Sequence, residues 1–174
     1  EILLFDQPDS STVRRNQQLM RHYGASLVYC GSLAATVIRF YLHPARLRRD
    51  TYFLFAGGSN VAGTLGFVNA AMEIREQVLT QRMPMPRHVI CPVGSSATLA
   101  GLTLGFQWLG MPVQVTGVRV APSHLGPFAA CTTASVAQLM RRTHAATQRL
   151  SGKTLPEPCR PVLLDEYYGR GYGV

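Results

Sequence analysis

The sequence has little lysine, few acidic residues and no long apolar run. Of its 17 basic residues only Lys153 is a lysine, and the 9 acidic residues leave a formal charge of +8. No segment approaches the roughly 20 apolar residues that span a bilayer, and the amino terminus lacks the basic-then-apolar order of a signal peptide. We therefore expect a cytoplasmic protein that has no membrane partner.

Patterns for metal binding and for disulfides are also missing. The four cysteines are widely spaced and form no C-x-x-C pair, and the five histidines show no metal-ligand spacing. Two of the cysteines, Cys30 and Cys91, lie in apolar runs. The pattern predicts buried, reduced thiols and no bound metal.

The positive charge alone would allow nucleic-acid binding, because clustered arginines neutralise phosphates. Here the basic residues occur in small separated groups, at positions 14–15, 46–49 and 141–142, and no nucleic-acid motif accompanies them. This distribution favours a solvated surface and predicts no nucleic-acid partner. An arginine-rich nucleic-acid binder stays an alternative, and salt-sensitive retention on DNA or RNA would reveal it.

Short apolar runs alternate with helical patterns along almost the whole chain, which is 47% hydrophobic and 15% charged. This alternation predicts an α/β fold, with an open, mostly parallel sheet and helices on both faces. Ligands of such sheets bind beyond the carboxyl ends of the strands. The predicted strands are residues 2–5, 25–29, 52–55, 88–93, 113–120 and 161–164, and the predicted helices are 13–23, 61–80, 98–109 and 129–150. Met72 is predicted on the buried side of the helix at 61–80, and Gly101 and Gly105 are expected to let the helix at 98–109 approach a neighbour closely.

The boundaries of the chain and of its domains leave weaker signals. A polar segment at 42–50, which contains Pro44 and three arginines, predicts a surface connection and a domain boundary near Asp50. The chain opens at Glu1 on an apolar run and stops at Val174 directly after a glycine-rich turn. We expect the fold to be incomplete at both ends.

The most informative stretch runs from the strand at 88–93 through a small, hydroxyl-rich loop into the helix at 98–109. Such a loop collects unpaired backbone N–H groups at a helix N-terminus, where the helix dipole favours a phosphate or carboxylate. Glycine and serine also serve plain turning and capping in α/β proteins. The loop therefore predicts an anion site, with turning and capping alone as the alternative.

Two further glycine-rich segments follow predicted strands and are expected at the same edge of the sheet. The first is Gly57-Gly58-Ser59-Asn60, in which Ser59 or Asn60 caps the next helix or contacts a ligand. The second is the turn at 169–173. Three such loops at one edge are more specific than any one of them alone.

In these motifs the chain resembles the fold-type II family of pyridoxal-phosphate enzymes, and within it the D-cysteine desulfhydrase and 1-aminocyclopropane-1-carboxylate deaminase group. The resemblance lies in segments 56–73, 92–102 and 168–173 and covers nearly the whole chain. It implies a tryptophan synthase beta-like fold. Residues 1–50 would belong to the small domain, residues 51–174 to the large cofactor-binding domain, and the full-length protein would form a homodimer.

The resemblance also implies roles for individual residues. It assigns the cofactor phosphate to the loop residues Gly94, Ser95, Ser96, Ala97 and Thr98. Tyr172 matches a tyrosine of the family that lies near substrate and cofactor ring and acts in catalysis, with a packing role as the alternative.

The chain departs from the family's pattern at two of these places. The family more often has two glycines where this chain has Ser96-Ala97, so a positive φ there would be strained. It usually has proline where this chain has Arg170, which loosens the turn before Tyr172.

The family's Schiff-base lysine is missing from the matched region, as are its S-N-H or S-N-Q segment and its C-terminal part. Lys153 does not match the position of that lysine and is expected to be a solvated surface residue. The resemblance implies a pyridoxal-phosphate-dependent lyase or deaminase of a small amino acid. D-cysteine, converted to sulfide, ammonia and pyruvate, is the expected substrate, and this chain alone is expected to be inactive. The alternative is a non-catalytic relative or fragment that binds a phosphorylated ligand or a partner chain.

Overall fold

The computed structural model describes residues 1–6, 9–125 and 128–169 and divides into two units, Glu1–Phe53 and Leu54–Val174. The first unit contains β1 (Ile2–Leu4), α1 (Ser11–His22), β2 (Leu27–Tyr29), α2 (Leu33–Tyr41) and a 3-10 helix at Pro44–Leu47. The second contains a 3-10 helix at Ala56–Gly58, α3 (Val61–Leu79), β3 (His88–Val93), α4 (Ala97–Trp108), β4 (Gln114–Arg119), β5 (His124–Leu125), β6 (Phe128–Ala129), α5 (Thr133–Ser151) and β7 (Val162–Leu164).

The first unit begins with the β-α-β arrangement that the sequence predicts. β1 and β2 pair in parallel, with Leu3 opposite Val28. The hydroxyl of Ser10 caps α1 by accepting a hydrogen bond from the Val13 backbone N–H at 3.2 Å. Helix α2 occupies a stretch whose apolar residues show no clear period. The predicted surface connection at 42–50 contains the short 3-10 helix.

Arg46 links the segment after α2 to the aromatic side chains of this unit. Its guanidinium carbon lies 4.6 Å from the ring centre of Phe40 and 4.5 Å from that of Phe53, and its Nε donates to the Phe40 carbonyl at 2.8 Å. A cation over an aromatic face is attracted by the ring's quadrupole. The polar segment after α2 is therefore tied to an aromatic cluster.

The sheet of the second unit has three parallel strands in the order β3-β4-β7. Val93 at the end of β3 lies opposite Arg119 at the end of β4, and Val118 lies opposite Leu164 of β7. The carboxyl ends of the three strands therefore share one edge. The α/β class, with parallel strands flanked by helices, confirms the fold predicted from the sequence.

The side chains of β3 point alternately to a covered face and to an exposed face of the sheet. Cys91 and Val93 are buried in the cluster that also contains α4, whereas Ile90 on the opposite face is 71% exposed. Helix α4 is apolar on all sides, and the residues from Leu99 to Phe106 are all buried. A helix that is apolar all round belongs in a core, and α4 is the centre of this one.

Close contact between α3 and α4 depends on two glycines of α4, as the sequence predicts. A β-carbon on Gly101 would collide with the Thr64 carbonyl oxygen and the Phe67 side chain, and one on Gly105 would collide with the Ala71 β-carbon. No side chain larger than hydrogen fits at either position.

Three sequence predictions are wrong in this unit or in the segment that leads into it. Residues 52–55 form no strand, and Tyr52 is 72% exposed. An apolar run becomes a strand only where a neighbouring strand pairs with it through backbone hydrogen bonds. Helix α5 begins at Thr133 instead of near 129, because Ala129 pairs with His124 in the β5-β6 hairpin. Met72, predicted on the buried side of α3, is 47% exposed, because Thr64, Val68 and Ala71 take that side.

Two glycine-to-alanine variants test the α3-α4 contact. Gly101→Ala should lower the free energy of unfolding by about 2 kcal/mol, because the new methyl group overpacks the contact. Gly66→Ala is the matched control: a β-carbon at that exposed helical position meets nothing within 4 Å, so it should raise stability by about 0.5 to 1 kcal/mol through the unfolded state. Urea denaturation measures both, and equal effects of the two substitutions would contradict the packing argument.

Candidate functional site

The loop between β3 and α4 is held by buried structure on both sides. β3 ends at the buried Val93, and α4 begins at Ala97, which is 3% exposed. Within the loop, Ser96 has φ +73° and ψ −29° and is 4% exposed. A left-handed conformation costs a non-glycine residue roughly 1 to 2 kcal/mol. The strain expected where the family more often has glycine is therefore present, and it falls on Ser96.

The Ser96 hydroxyl points away from the helix that it precedes. It donates to the Ala130 carbonyl oxygen at 3.2 Å and lies 3.2 Å from the Ser135 hydroxyl oxygen. Consequently, its side chain caps none of the first backbone N–H groups of α4. In each of the other four α-helices of the described residues, the N-cap side chain accepts a hydrogen bond from a backbone N–H of the first turn. These N-cap residues are Ser10 in α1, Ser32 in α2, Asn60 in α3 and Thr132 in α5.

The first turn of α4 therefore keeps free donors. The Ala97 N–H bonds to the Ser95 carbonyl and the Ala100 N–H to the Ser96 carbonyl, both at 3.0 Å. Thr98 and Leu99 lie between these two residues in the sequence, and their N–H groups have no acceptor within the described residues. These N–H groups carry the partial positive charge of the helix N-terminus.

The turn at Gly57 lies directly against this loop. The Ser95 hydroxyl donates to the Gly57 carbonyl oxygen at 3.4 Å, and a β-carbon on Gly57, whose φ is +74°, would collide with the Ser95 side chain. That β-carbon would also lie 3.9 Å from the Ser59 hydroxyl oxygen. Two of the three loops expected at one edge of the sheet are thus in contact.

Ser59 and Asn60, each of which could cap α3 or contact a ligand, have different roles in the structure. The Asn60 side chain caps α3 by accepting from the Gly63 N–H at 2.8 Å. The Ser59 hydroxyl is buried and has no hydrogen-bond partner in the described part of the chain. A buried hydroxyl without a partner costs free energy, so Ser59 is the residue of this pair with an unused group next to the loop.

These donors fit a phosphate group. Phosphate oxygens accept several hydrogen bonds, and the site offers the α4 N–H groups and hydroxyls of Ser59, Ser95 and Thr98 beside a helix N-terminus. A glycine at 57 leaves room for the Ser95 side chain. The residues present can therefore hold a phosphorylated cofactor by its phosphate.

Two further polar groups, the Cys131 thiol and the Arg119 guanidinium, lie near the carboxyl ends of β3 and β4. The Cys131 thiol is buried and donates to the Val93 carbonyl at 3.1 Å, and burial raises its pKa against a smaller lowering effect of Arg119. A raised pKa keeps it a neutral thiol. Arg119 donates to the Asp165 carbonyl at 2.9 Å and stacks over the Tyr168 ring at 5.1 Å.

Sequence reasoning missed Arg119 and Ser135. The signal for Arg119 was a charged residue ending an apolar strand at the carboxyl edge. Ser135 carries no sequence signal, because it lies 39 residues from its partner Ser96.

The catalytic prediction lies elsewhere in the chain. Tyr172 and Arg170 fall outside the described residues, so their roles stay predictions. In the ranges that the structure describes, no group of three His, Cys, Asp or Glu side chains could hold a metal, and no helix is long and apolar enough to cross a membrane. The four cysteines are free, with Cys91 and Cys131 buried and Cys159 exposed.

A cavity of about 490 Å³ lies away from this loop. Its lining includes Gln107, Gln114 and Cys159. Because Gln114 begins β4 and Cys159 precedes β7, the cavity lies at the amino ends of the strands, which is the edge that α/β proteins do not use for ligands.

The fold and the loop define a class, the α/β proteins in which a strand passes through a short loop into a buried helix at the carboxyl edge of a parallel sheet. A family described as Pyridoxal-phosphate dependent enzyme matches residues 5–174, and the chain belongs to that family. Pyridoxal phosphate is the family's cofactor, which confirms the resemblance stated from the motifs.

Individual relatives carry two names. The chain is 29% identical over 123 residues to a Thermotoga maritima protein named "Putative 1-aminocyclopropane-1-carboxylate deaminase", covering 71% of this chain and 35% of that protein. It is 25% identical over 182 aligned positions to the D-cysteine desulfhydrase of Salmonella paratyphi B, covering 99% of this chain and 51% of that protein. The chain thus spans about half or less of the length of these relatives.

A solved structure described as an ACC deaminase homologue has a similar fold. Its TM-score is 0.71 at 24% identity, and the match covers 99% of this chain and 49% of that one. This likeness supports the fold alone.

The contact between Gly57 and Ser95 gives a second prediction. Gly57→Ala should cost about 3 kcal/mol, from the strain at positive φ and the collision with Ser95, and it should weaken phosphate binding by displacing the loop. Gly110→Ala, at φ +62° with nothing within 4 Å of its β-carbon, should cost only the strain and leave binding unchanged. Urea denaturation and equilibrium dialysis with pyridoxal phosphate separate the two, and the site is wrong if Gly57→Ala binds as well as Gly110→Ala.

Proposed function

We propose that this chain binds pyridoxal 5'-phosphate through the loop Gly94, Ser95, Ser96, Ala97 and Thr98. The observation that carries the proposal is the uncapped first turn of α4, the one α-helix in the described residues whose N-cap side chain accepts no hydrogen bond. The unpartnered Ser59 hydroxyl beside the same loop supports it.

The chain's residues act on the phosphate end of the cofactor. The N–H groups of Thr98 and Leu99 donate to phosphate oxygens, and the hydroxyls of Ser59, Ser95 and Thr98 add donors that adapt by rotation. Burial of α4 fixes the direction of the N–H groups. When bound, pyridoxal phosphate supplies an electron sink for chemistry at the α-carbon of an amino acid.

The only lysine lies far from this loop. Helix α5 starts beside Ser96, through Ser135, and Lys153 follows its C-terminal cap, Gly152. A helix of 19 residues is about 28 Å long, so Lys153, which is exposed, stands at the opposite end. Binding by this chain is therefore non-covalent.

A binding experiment tests both statements. Pyridoxal phosphate should bind to the chain and inorganic phosphate should compete, whereas pyridoxal, which lacks the phosphate, should bind at least about tenfold more weakly because it loses the charge-assisted hydrogen bonds. Lys153→Ala should leave the affinity unchanged. Equilibrium dialysis measures the affinities, and mass spectrometry after borohydride reduction detects a covalent link. Equal binding of pyridoxal, or a link at Lys153, would contradict the proposal.

For the whole protein we propose a lyase or deaminase of a small amino acid, with D-cysteine as the substrate and sulfide, ammonia and pyruvate as the products. The support is the names of the similar proteins, a D-cysteine desulfhydrase and a "Putative 1-aminocyclopropane-1-carboxylate deaminase", and the match of Tyr172 to the family's active-site tyrosine. A tyrosine hydroxyl can donate a hydrogen bond or move a proton at the reacting amino acid. We also propose that the whole protein is a homodimer in the cytoplasm.

The activity is tested on the product of the complete reading frame. Sulfide should be released from D-cysteine faster than ammonia is released from 1-aminocyclopropane-1-carboxylate. Tyr172→Phe should lower kcat by about 10²-fold or more if the hydroxyl transfers a proton. Cofactor binding should stay unchanged in that variant. Unchanged kcat would leave Tyr172 a packing residue, and the absence of turnover with both substrates would favour the alternative, a non-catalytic relative that binds a phosphorylated ligand.

A further inference from the structure

We propose that Ser135 is a positioning residue that keeps the first turn of α4 open for phosphate. It acts by holding the Ser96 hydroxyl away from the helix that Ser96 would otherwise cap. The inference rests on the proposed function for its biological meaning, but its structural part can be measured without any ligand.

Ser135 lies at the centre of a hydrogen-bond network at the start of α5. Its hydroxyl oxygen accepts from the Thr132 N–H at 2.9 Å and lies 2.8 Å from the Thr132 carbonyl and 3.1 Å from the Ala130 carbonyl. The Ser96 hydroxyl joins this network through the same Ala130 carbonyl and through Ser135 itself, both at 3.2 Å. Ser135 thus contacts the Ser96 hydroxyl directly and shares the Ala130 carbonyl with it.

The backbone of Ser96 explains why holding it matters. A serine that caps a helix has an extended backbone, as Ser10 and Ser32 do with φ of −134° and −110°. Ser96 instead has φ +73°, a strained conformation for a residue with a side chain. Without the network, Ser96 would relax toward the extended region.

Relaxation would close the site. In an extended Ser96 the hydroxyl would accept from the Leu99 N–H, which is the bond that the other N-cap residues make with the third residue of their helices. That N–H is one of the donors assigned to phosphate. A side-chain cap and a bound phosphate would then compete for the same group, and the hydroxyls of Ser135 and Ser96 decide which of them has it.

Four variants test this competition, with pyridoxal phosphate and inorganic phosphate as probes. Ser135→Ala should weaken binding of both about fivefold to tenfold, which is the range that a competing cap supplies. Thr132→Ala, the control, removes the other half of the α5 capping box but leaves Ser135 beside Ser96; it should lower the melting temperature and leave the affinity unchanged. Ser96→Ala changes the binding loop itself and serves only as the reference background: it cannot cap, so adding Ser135→Ala to it should cause no further loss of affinity.

Hydrogen exchange of the Leu99 amide gives the readout that needs no ligand. Exchange should slow in Ser135→Ala, because the new cap protects this N–H, and should stay as fast as in the native chain in the double variant. Unchanged Leu99 exchange in Ser135→Ala, or an affinity in Ser96→Ala/Ser135→Ala that is lower than in Ser96→Ala alone, overturns the role of Ser135. If the native chain binds neither probe but Leu99 becomes protected in Ser135→Ala, the proposed function falls while the relation between the two serines stands.

Discussion

Burial of helix α4 is the constraint on which the rest of the second unit depends. Its residues fill the space between the sheet and helix α3, and Gly101 and Gly105 bring the two helices into backbone contact. Because the helix cannot shift without opening the core, the N–H groups of its first turn have a fixed direction at the carboxyl edge of the sheet. A rigid donor set binds an anion without paying to order itself, which is the advantage of placing the site on a buried element.

The same region carries structural costs that a purely stable fold would avoid. Ser96 is strained, the α4 first turn lacks the cap that the other α-helices have, and the buried Ser59 hydroxyl has no partner in the described residues. Each feature costs stability of the order of 1 kcal/mol. The three features lie close together around Gly57 and Ser95. A bound phosphate would supply hydrogen-bond acceptors for the uncapped first turn of α4 and for the Ser59 hydroxyl. Concentrated local cost of this kind is characteristic of binding sites.

The sequence predicted the elements whose pattern is local and failed where structure depends on a distant partner. The strand at 88–93, the turn after it and the buried helix were correct because an apolar run, small residues and an apolar helix follow one another directly. Residues 52–55 were wrong because strand formation needs a neighbour that the run itself does not specify. The strain at Ser96 was foreseen from the departure from glycine, but the direction of its hydroxyl was not, since Ala130 and Ser135 come together with Ser96 only in the fold. Ser59 and Asn60 were equivalent in the sequence and differ in the structure because only one side chain can reach the Gly63 N–H.

In the proposed site, the groups that would bind phosphate are separate from the chain's lysine. The donors for a phosphate come from one strand-loop-helix unit and the neighbouring Gly57 turn, all within residues 57–99, and they need no lysine. The chain's own lysine follows the far end of α5, a helix whose first turn contacts the loop, so the length of that helix keeps the two apart. A segment of this kind can therefore hold the cofactor's anionic end as a preformed cradle, while the groups that act on the amino acid belong to other parts of a protein. Under the proposed function, the loop would need no lysine beside it to bind the phosphate.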